Sequence, residues 1–361
     1  MSEQAVIDTP VVNRQKAEAF AGELIAGLNR AATMLMISVG HRTGLFDRLA
    51  ELPPATVSKI ASACALSERY VREWLGAMVS ARVVEYEPAT QRYVLPPEHA
   101  MWLTRAATPN NMAVTAQWIA VLGGVEDEVV QAFAHGKGVP YAAYRRFHTV
   151  MAEESGQSVI ARLVDAIVPL SPALPAALER GVDALDVGCG AGRAVLTLAA
   201  AFPNSRFTGY DLSGEAIAAA REEARQRGLH NIRFEARDVT ALAERDVFDL
   251  VMAFDAIHDQ AHPASVLAGI RKALKPSGTF LMQDIGASSH VHENIDHTFG
   301  PFLYTISTMH CMSVSLANKG VGLGTMWGRE TALRMLREAG FTEVEVKRLE
   351  HDPMNDYFVA R

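Results

Sequence analysis

The sequence predicts an α/β fold, an open sheet with a ligand-binding edge, preceded by a helical domain. Three observations predict it. Ala184 to Val187 is an apolar strand that runs into the turn Gly188-Cys189-Gly190-Ala191-Gly192 and then into a helical stretch from Arg193 to Ala201. Two further strands, Arg206 to Leu212 and Ile232 to Val239, end on acids, Asp211 and Asp238. Before residue 106 the apolar pattern is helical instead. Strands alternating with helices give a Rossmann-like sheet, whose ligands bind outside the carboxyl ends of the strands.

From Asn13 to about Gly40, apolar residues recur at helical spacing: Phe20, Leu24, Ile25 and Leu28, then Met34, Leu35 and Ile37. This reads as one or two amphipathic helices in need of a partner, behind a mobile leader of residues 1 to 12. Thr56 to Ala65 and Ser67 to Val79, with Ser58 and Ser67 as N-cap candidates, form a helix-turn-helix. Val83 to Tyr86 and Arg92 to Leu95 are β-prone and supply a wing, closing a first domain at residues 1–105. Residues 106–178 are a helical connector placed to roof the sheet, broken by Gly123-Gly124, by Gly136 to Pro140 and by prolines at 169, 172 and 175. In a helix expected around Tyr144 to Glu154, Tyr144, Phe147, Val150 and Met151 define the buried face. Arg146 borders that face and Arg145 points away from it.

Residues 179–361 complete the sheet. After the first three strands come Val247 to Phe254, the helix Pro263 to Leu274, and the strand Gly278 to Ile285. The helix Glu330 to Ala339, with Gly340 as its C′ residue, precedes the strands Glu343 to Leu349 and Asp356 to Arg361, which brings the sheet to seven strands. An insertion at 286–328 is rich in His, Met and Gly.

With 361 residues, 49% of them apolar and 21% charged, the chain can build a large core. Its formal charge of −7 gives no electrostatic reason to expect nucleic acid or an anionic membrane as partner. The would-be recognition helix sets Glu68 and Glu73 against Arg69 and Arg72, which disfavours DNA. No apolar run reaches the ~18 residues that span a bilayer, and the polar start does not read as a signal peptide. Cys64, Cys189 and Cys311 form no CxxC pair, the pattern of a reduced, cytoplasmic protein.

Glycines at 188, 190 and 192 let backbone turn tightly and a ligand approach closely, yet a nicotinamide-type fold shows nearly the same spacing. The acids decide. Asp211 suits both ribose hydroxyls of a nucleoside and Asp238 the exocyclic amine of adenine, while no phosphate-binding Lys or Arg lies in the first turn. From about Leu185 to the C-terminus the chain resembles class I S-adenosylmethionine-dependent methyltransferases. That resemblance implies S-adenosylmethionine bound by Asp186, Gly188, Gly190, Asp211, Leu212, Asp238, Val239 and Phe254. The N-terminal part is similar to the winged helix of small-molecule O-methyltransferases. This implies a homodimerisation domain, with helices from Ala17 to Leu45 as the intersubunit surface.

Asp255-Ala256-Ile257-His258-Asp259 follows the fourth strand and therefore faces the cofactor's sulfonium methyl. His258 and Asp259 have three readings. They can be a hydrogen-bonded loop pair, or, as in the winged-helix O-methyltransferases, a general base that deprotonates a hydroxyl. The third adds His310 from the apolar, helical stretch Phe302 to Leu316: two histidines and a carboxylate hold non-haem Fe(II). Neighbours in a regular strand face opposite ways, so His258 and Asp259 can share a metal only where the chain leaves the strand.

His258-Asp259, with His310 at 52 positions beyond His258, Trp118 and Arg146, resembles the iron-containing α-keto acid C-methyltransferases across nearly the whole chain. The resemblance implies Fe(II) on His258, Asp259 and His310, methyl transfer to C3 of an α-keto acid, a carboxylate grip by Arg146 and a pocket wall at Trp118. Asp255, costly to bury beside an apolar substrate, suits a cationic one. Within that family this implies 5-guanidino-2-oxopentanoate (2-ketoarginine), with 4-methyl-2-oxopentanoate and phenylpyruvate as alternatives. His290, His292 and His297, with Glu293 and Asp296, read as a mobile surface loop and not a second metal cluster. Met309, Met312 and Met326 read as adaptable packing, and the run Gly320 to Gly328 as a hinged cover in which Trp327 can equally be core.

Overall fold

The computed structural model describes residues 12–361, so the expected leader lies outside the described residues except for Val12. The chain divides into two compact units, one ending at Ala120 and one running from Val121 to Arg361.

The first unit opens with one helix, α1 (Arg14–Thr43), followed by α2 (Leu45–Glu51), α3 (Val57–Cys64) and α4 (Glu68–Ser80). Strands β1 (Glu85–Glu87) and β2 (Arg92–Val94) pair antiparallel as the wing. Its core is built on Phe46, Ile60, Trp74, Leu75 and Met78, all buried. The Trp74 indole satisfies its N–H on the Met36 carbonyl at 2.8 Å, fixing α4 against α1. Two details differ from the sequence reading. The cap of α3 is Thr56, whose hydroxyl accepts from Lys59 N–H, whereas Ser58 lies inside the helix. The first wing strand starts two residues late, at Glu85, because the Val83 and Val84 N–H groups bond back to the Met78 carbonyl. On α1, Phe20, Leu24, Ile25 and Leu28 remain 59–71% exposed.

The second unit begins helical and includes α5 (Phe147–Ser158). Its sheet comprises β3 (Asp183–Val187), β4 (Arg206–Asp211), β5 (Ile232–Ala236), β6 (Phe248–Phe254), β7 (Leu274–Ile285), β8 (Val344–Leu349) and β9 (Asp352–Ala360). The strand order is β5-β4-β3-β6-β7-β9-β8; neighbours from β5 to β7 run parallel, and β9 runs antiparallel to both β7 and β8. Sequence order reverses between β3 and β6, the position at which open α/β sheets bind their ligands. Apolar cores cover both faces, one around Val195, Leu198, Phe207 and Tyr357, the other around Val251, Leu267, Phe280 and Phe358. That double burial explains why the central strands read as continuous apolar runs.

Elsewhere the expected boundaries shift. Strand β7 begins at Leu274, where it pairs with Phe248, and β9 begins at Asp352, which pairs with Leu349 across a tight reversal. The helix expected from Tyr144 starts only at Phe147, with Arg146 in a left-handed conformation (φ 63°) just before it. Arg146 therefore does not border a helix face, and the facing argument for it falls. Arg146 is half-buried and Arg145 exposed. In the run expected as a hinged cover, Thr325, Met326 and Trp327 are buried, whereas Val321 is 62% exposed. Among the described residues no single helix is long and apolar enough to cross a membrane.

Candidate active site at the carboxyl edge of the sheet

The turn after β3 is built around Asp211 at the end of β4. One Asp211 oxygen accepts the Gly190 N–H and the other the Ser213 N–H, each at 2.8 Å. Gly190 (φ 53°) and Gly192 (φ 71°) are both left-handed, but they serve different ends. A Cβ on Gly192 would lie 2.3 Å from the Phe234 ring, whereas one on Gly190 would meet nothing within 4 Å. Gly192 is thus there for packing, and Gly190 leaves backbone open to a ligand. Asp186 is buried beneath this turn, and burial, then the Asp211 charge, pushes its carboxyl up to about 7. Asp238 lies two residues past β5, and hydrogen bonds from the Thr240 hydroxyl and N–H hold its carboxyl below the usual range. Leu212 is 73% exposed just past β4, Val239 is buried, and Phe254, the last residue of β6, is half-buried.

Strand β6 ends at Phe254, and Asp255 turns the chain out of the sheet with a left-handed backbone (φ 50°). A turn follows, closed by Gln260 N–H on the Ile257 carbonyl at 3.2 Å. This departure puts neighbours His258 and Asp259 on one side: His258 Nε2 lies 3.3 Å from Asp259 Oδ1. His258 Nδ1 meets Asp284 Oδ1 at 2.8 Å. Burial opposes a charge on His258, but Asp284 and then Asp259 outweigh it and raise its pKa well above the ordinary value. Asp255 accepts from the Gln283 amide at 3.0 Å, and burial pushes its carboxyl up to about 7.

The third element comes from the insertion. Helices α6 (Gly300–Ile306) and α7 (Met312–Ala317) are joined by a π-helical turn, Ser307–Cys311, that buries both His310 and Cys311. The His310 ring stacks on Phe147 at 3.7 Å and meets Tyr144 edge-on at 4.7 Å. The Tyr144 hydroxyl donates to the Met309 carbonyl at 2.5 Å, so the segment around Tyr144 packs on the insertion. Burial pushes His310 down to about 4, which leaves it a neutral imidazole at pH 7, and its Nε2 has no hydrogen-bond partner.

The structure brings His258 and Asp259 together, but the third donor at closest range is sulfur. One ligand atom each from His258, Asp259 and Cys311 lie within 4.8 Å of one another, and this is the one such cluster among the described residues. His310 adjoins it, with Nδ1 3.5 Å from Cys311 Sγ. The histidines at 290, 292 and 297 form no metal cluster among the described residues. Trp118 is buried in the first unit and Arg146 belongs to the second.

Two contacts that fix His258 escaped the sequence reading. Asp284, wholly buried, orients His258; like Asp211 it is an acid near a strand end, and that signal was present. Trp327 donates its indole N–H to the same Asp284 oxygen at 2.9 Å, a contact across 43 residues with no local signal.

Residues 31–105 match the family of Rv2258c-like winged HTH domains, and residues 178–340 match a methyltransferase domain family. A ubiquinone biosynthesis O-methyltransferase from Methylococcus capsulatus is 34% identical over 110 residues, which is 30% of this chain and 45% of that protein. A trans-aconitate 2-methyltransferase from Methylobacterium nodulans is 32% identical over 99 residues, 27% of this chain and 36% of its own. The chain thus spans less than half the length of these curated relatives. Solved structures align over nearly everything: mitomycin 7-O-methyltransferase (TM-score 0.66, 18% identity) over 96% of this chain and 99% of its own. Human N-acetylserotonin methyltransferase, solved with S-adenosylmethionine, aligns over 94% and 97% (TM-score 0.62, 18% identity). At such identity the likeness shows the fold. The chain joins a winged helix-turn-helix domain to a class I methyltransferase domain.

Replacing Asp284 by Asn removes the carboxylate that does most to raise His258, so the imidazole should titrate lower. A raised folded-state value contributes stability below the ordinary histidine pKa that is lost as pH climbs through the raised one. In metal-free protein, the unfolding midpoint should therefore fall from pH 6 to pH 9 in the wild type and fall less in Asp284→Asn. Denaturant titrations at both pH values, with an NMR titration of His258, measure it.

Proposed function

We propose that this chain, with its winged helix-turn-helix and methyltransferase domains, is an S-adenosylmethionine-dependent C-methyltransferase acting at C3 of an α-keto acid, with Fe(II) held by His258, Asp259 and His310. The observation that carries the reading is a buried donor set with unsatisfied atoms at the sheet's carboxyl edge. His310 Nε2 is buried without a hydrogen-bond partner, and the buried Asp259 Oδ1 has only its ion-pair contact with His258 Nε2 at 3.3 Å; buried polar groups rarely stay so. The donors, imidazole and carboxylate with one imidazole neutral at pH 7, fit a divalent cation. Bound there, Fe(II) would supply Lewis acidity that makes the C3 proton of an α-keto acid easier to lose, and S-adenosylmethionine would supply the methyl group.

The chain's own residues do the rest. Asp284 commits His258 Nδ1, which leaves Nε2 toward Asp259. Asp211 and the Gly190 turn hold the nucleoside, and Asp238 takes the adenine amine. Tyr144 and Phe147 wall His310 off from water. Asp255 receives the guanidinium of 5-guanidino-2-oxopentanoate, a partner that offsets the burial which now lifts its carboxyl to about 7.

A second reading is a metal-free O-methyltransferase with His258 as general base, and the Asp284 hydrogen bond to His258 favours it. A base must be unprotonated at its working pH. Asp284 and Asp259 instead raise His258 well above the ordinary value, so in the metal-free protein the imidazole keeps its proton near neutrality. A cation in place of that proton relieves the conflict. The exposed apolar stripe of α1 supports a homodimer through the N-terminal unit, by the physics that makes large exposed apolar patches interaction sites.

Protein purified without chelators and incubated with S-adenosylmethionine and a panel of keto acids should place the new methyl on C3, as located by NMR. It should lose activity with EDTA and on His310→Ala; full activity with EDTA present would leave the metal-free reading. Asp255→Ala should raise KM for 2-ketoarginine at least tenfold more than for an uncharged keto acid, and an equal rise on both would exclude the pairing. Sedimentation should show a dimer, converted to monomer by combined Leu24→Glu and Leu28→Glu changes on α1.

A further inference from the structure

We propose that the Cys311 thiol is itself a ligand of the cation, so that this centre binds metal through nitrogen, oxygen and sulfur. The inference rests on the cation reading above and adds a residue to it. Its first support is distance. One donor atom from each of His258, Asp259 and Cys311 already lie within 4.8 Å of one another, close enough for one ion to touch all three after small side-chain adjustments.

Its second support is backbone geometry. In a regular α-helix successive side chains point about 100° apart, so adjacent residues do not share a site. Ser307–Cys311 is a π-helical turn, a wider winding that often marks functional positions. Across this turn both His310 and Cys311 are buried, at 0% and 5% exposure. His310 Nδ1 lies 3.5 Å from Cys311 Sγ, and its Nε2 is the buried nitrogen left without a partner.

The third support is company. A thiol buried as ordinary core sits among apolar groups and is inert. Cys311 has the imidazole of His310 beside it and the His258 and Asp259 side chains within coordination range. Cys189, the other cysteine of this unit, faces its own turn instead, with Sγ 3.7 Å from the Gly190 carbonyl.

On ligation the S–H bond breaks, the sulfur lone pair forms the metal–sulfur bond, and the proton leaves to solvent. No oxidant or reductant is involved. A thiolate beside imidazole and carboxylate favours borderline and soft divalent ions, Fe(II), Co(II) and Zn(II), over Mg(II) and Ca(II).

Cobalt(II) reports the sulfur directly, because a thiolate ligand adds an intense near-ultraviolet charge-transfer band that nitrogen and oxygen ligands do not give. The full-length protein, stripped with chelator and dialysed, is titrated with Co(II) alone. One equivalent should bind and produce that band together with visible d–d absorption. The band should disappear in Cys311→Ser and Cys311→Ala and persist in Cys64→Ser, while the d–d bands of bound cobalt remain in the Cys311 variants. Wild-type protein that shows d–d absorption without the near-ultraviolet band overturns the sulfur ligand and leaves the cation reading standing, with no variant needed. A wild type that binds no cobalt overturns both.

Discussion

A single carboxylate oxygen, Oδ1 of Asp284, ties the carboxyl edge of the sheet to the insertion. It accepts from His258 Nδ1 at 2.8 Å, Trp327 Nε1 at 2.9 Å and the Ile285 N–H at 2.8 Å. These donors come from the turn after β6, from β7 itself and from the far end of the insertion. A wholly buried carboxylate costs several kcal/mol to desolvate, and only close hydrogen bonds and an opposite charge offset that. Here both are present, so the three segments are held in one register by a group that none of them can leave unsatisfied. The same bond fixes which imidazole nitrogen faces the site, the detail on which any chemistry at His258 depends.

Around that anchor the backbone is forced into conformations that sequence periodicity does not describe. Asp255 is left-handed at φ 50° and Arg146 at φ 63°, neither a glycine. Such positions cost roughly 1–3 kcal/mol each and persist where the surroundings determine them. At Asp255 the surroundings are clear: its N–H bonds to the Gln283 carbonyl and its side chain to the Gln283 amide, so β7 holds it from two directions. The left-handed step is what allows adjacent His258 and Asp259 to approach each other. In a continuing strand they would face opposite ways.

The distinction between what was legible in the sequence and what was not follows range. The glycine turn, Asp211 and the strand–helix alternation are local signals, and each appears where the pattern put it, within a few residues. The departure of the chain after Phe254 was legible from the strand's end. Arg146 was misplaced because helical periodicity was extended backwards through Tyr144, across a residue whose φ ends the helix. Trp327 reads as cover or core in the sequence because its partner lies 43 residues away, and the glycines around it carry no sign that the indole is buried on Asp284. Cys311 went unread for a sharper reason: an α-helical phase that places His310 in a site places the next residue out of it, and only a π-helical turn changes that phase.

That last point bears on how one sheet serves different chemistries. The carboxyl edge of β3 and β4 carries Asp186 and Asp211 beside the glycine turn, a feature of the sheet itself and not of any one methyl acceptor. The turn after β6 and the insertion between β7 and α8 (Gly328–Glu338) meet at His258, His310 and Cys311. Sheet-edge residues are fixed by backbone hydrogen bonds that alternative sequences can supply. The insertion is fixed by side chains: Trp327 on Asp284, the Tyr144 hydroxyl on the Met309 carbonyl, and Ser313 Oγ accepting the Val139 N–H at 2.9 Å. A change in those few contacts would shift the π-helical turn, with His310 and Cys311 on it, without disturbing the sheet beneath.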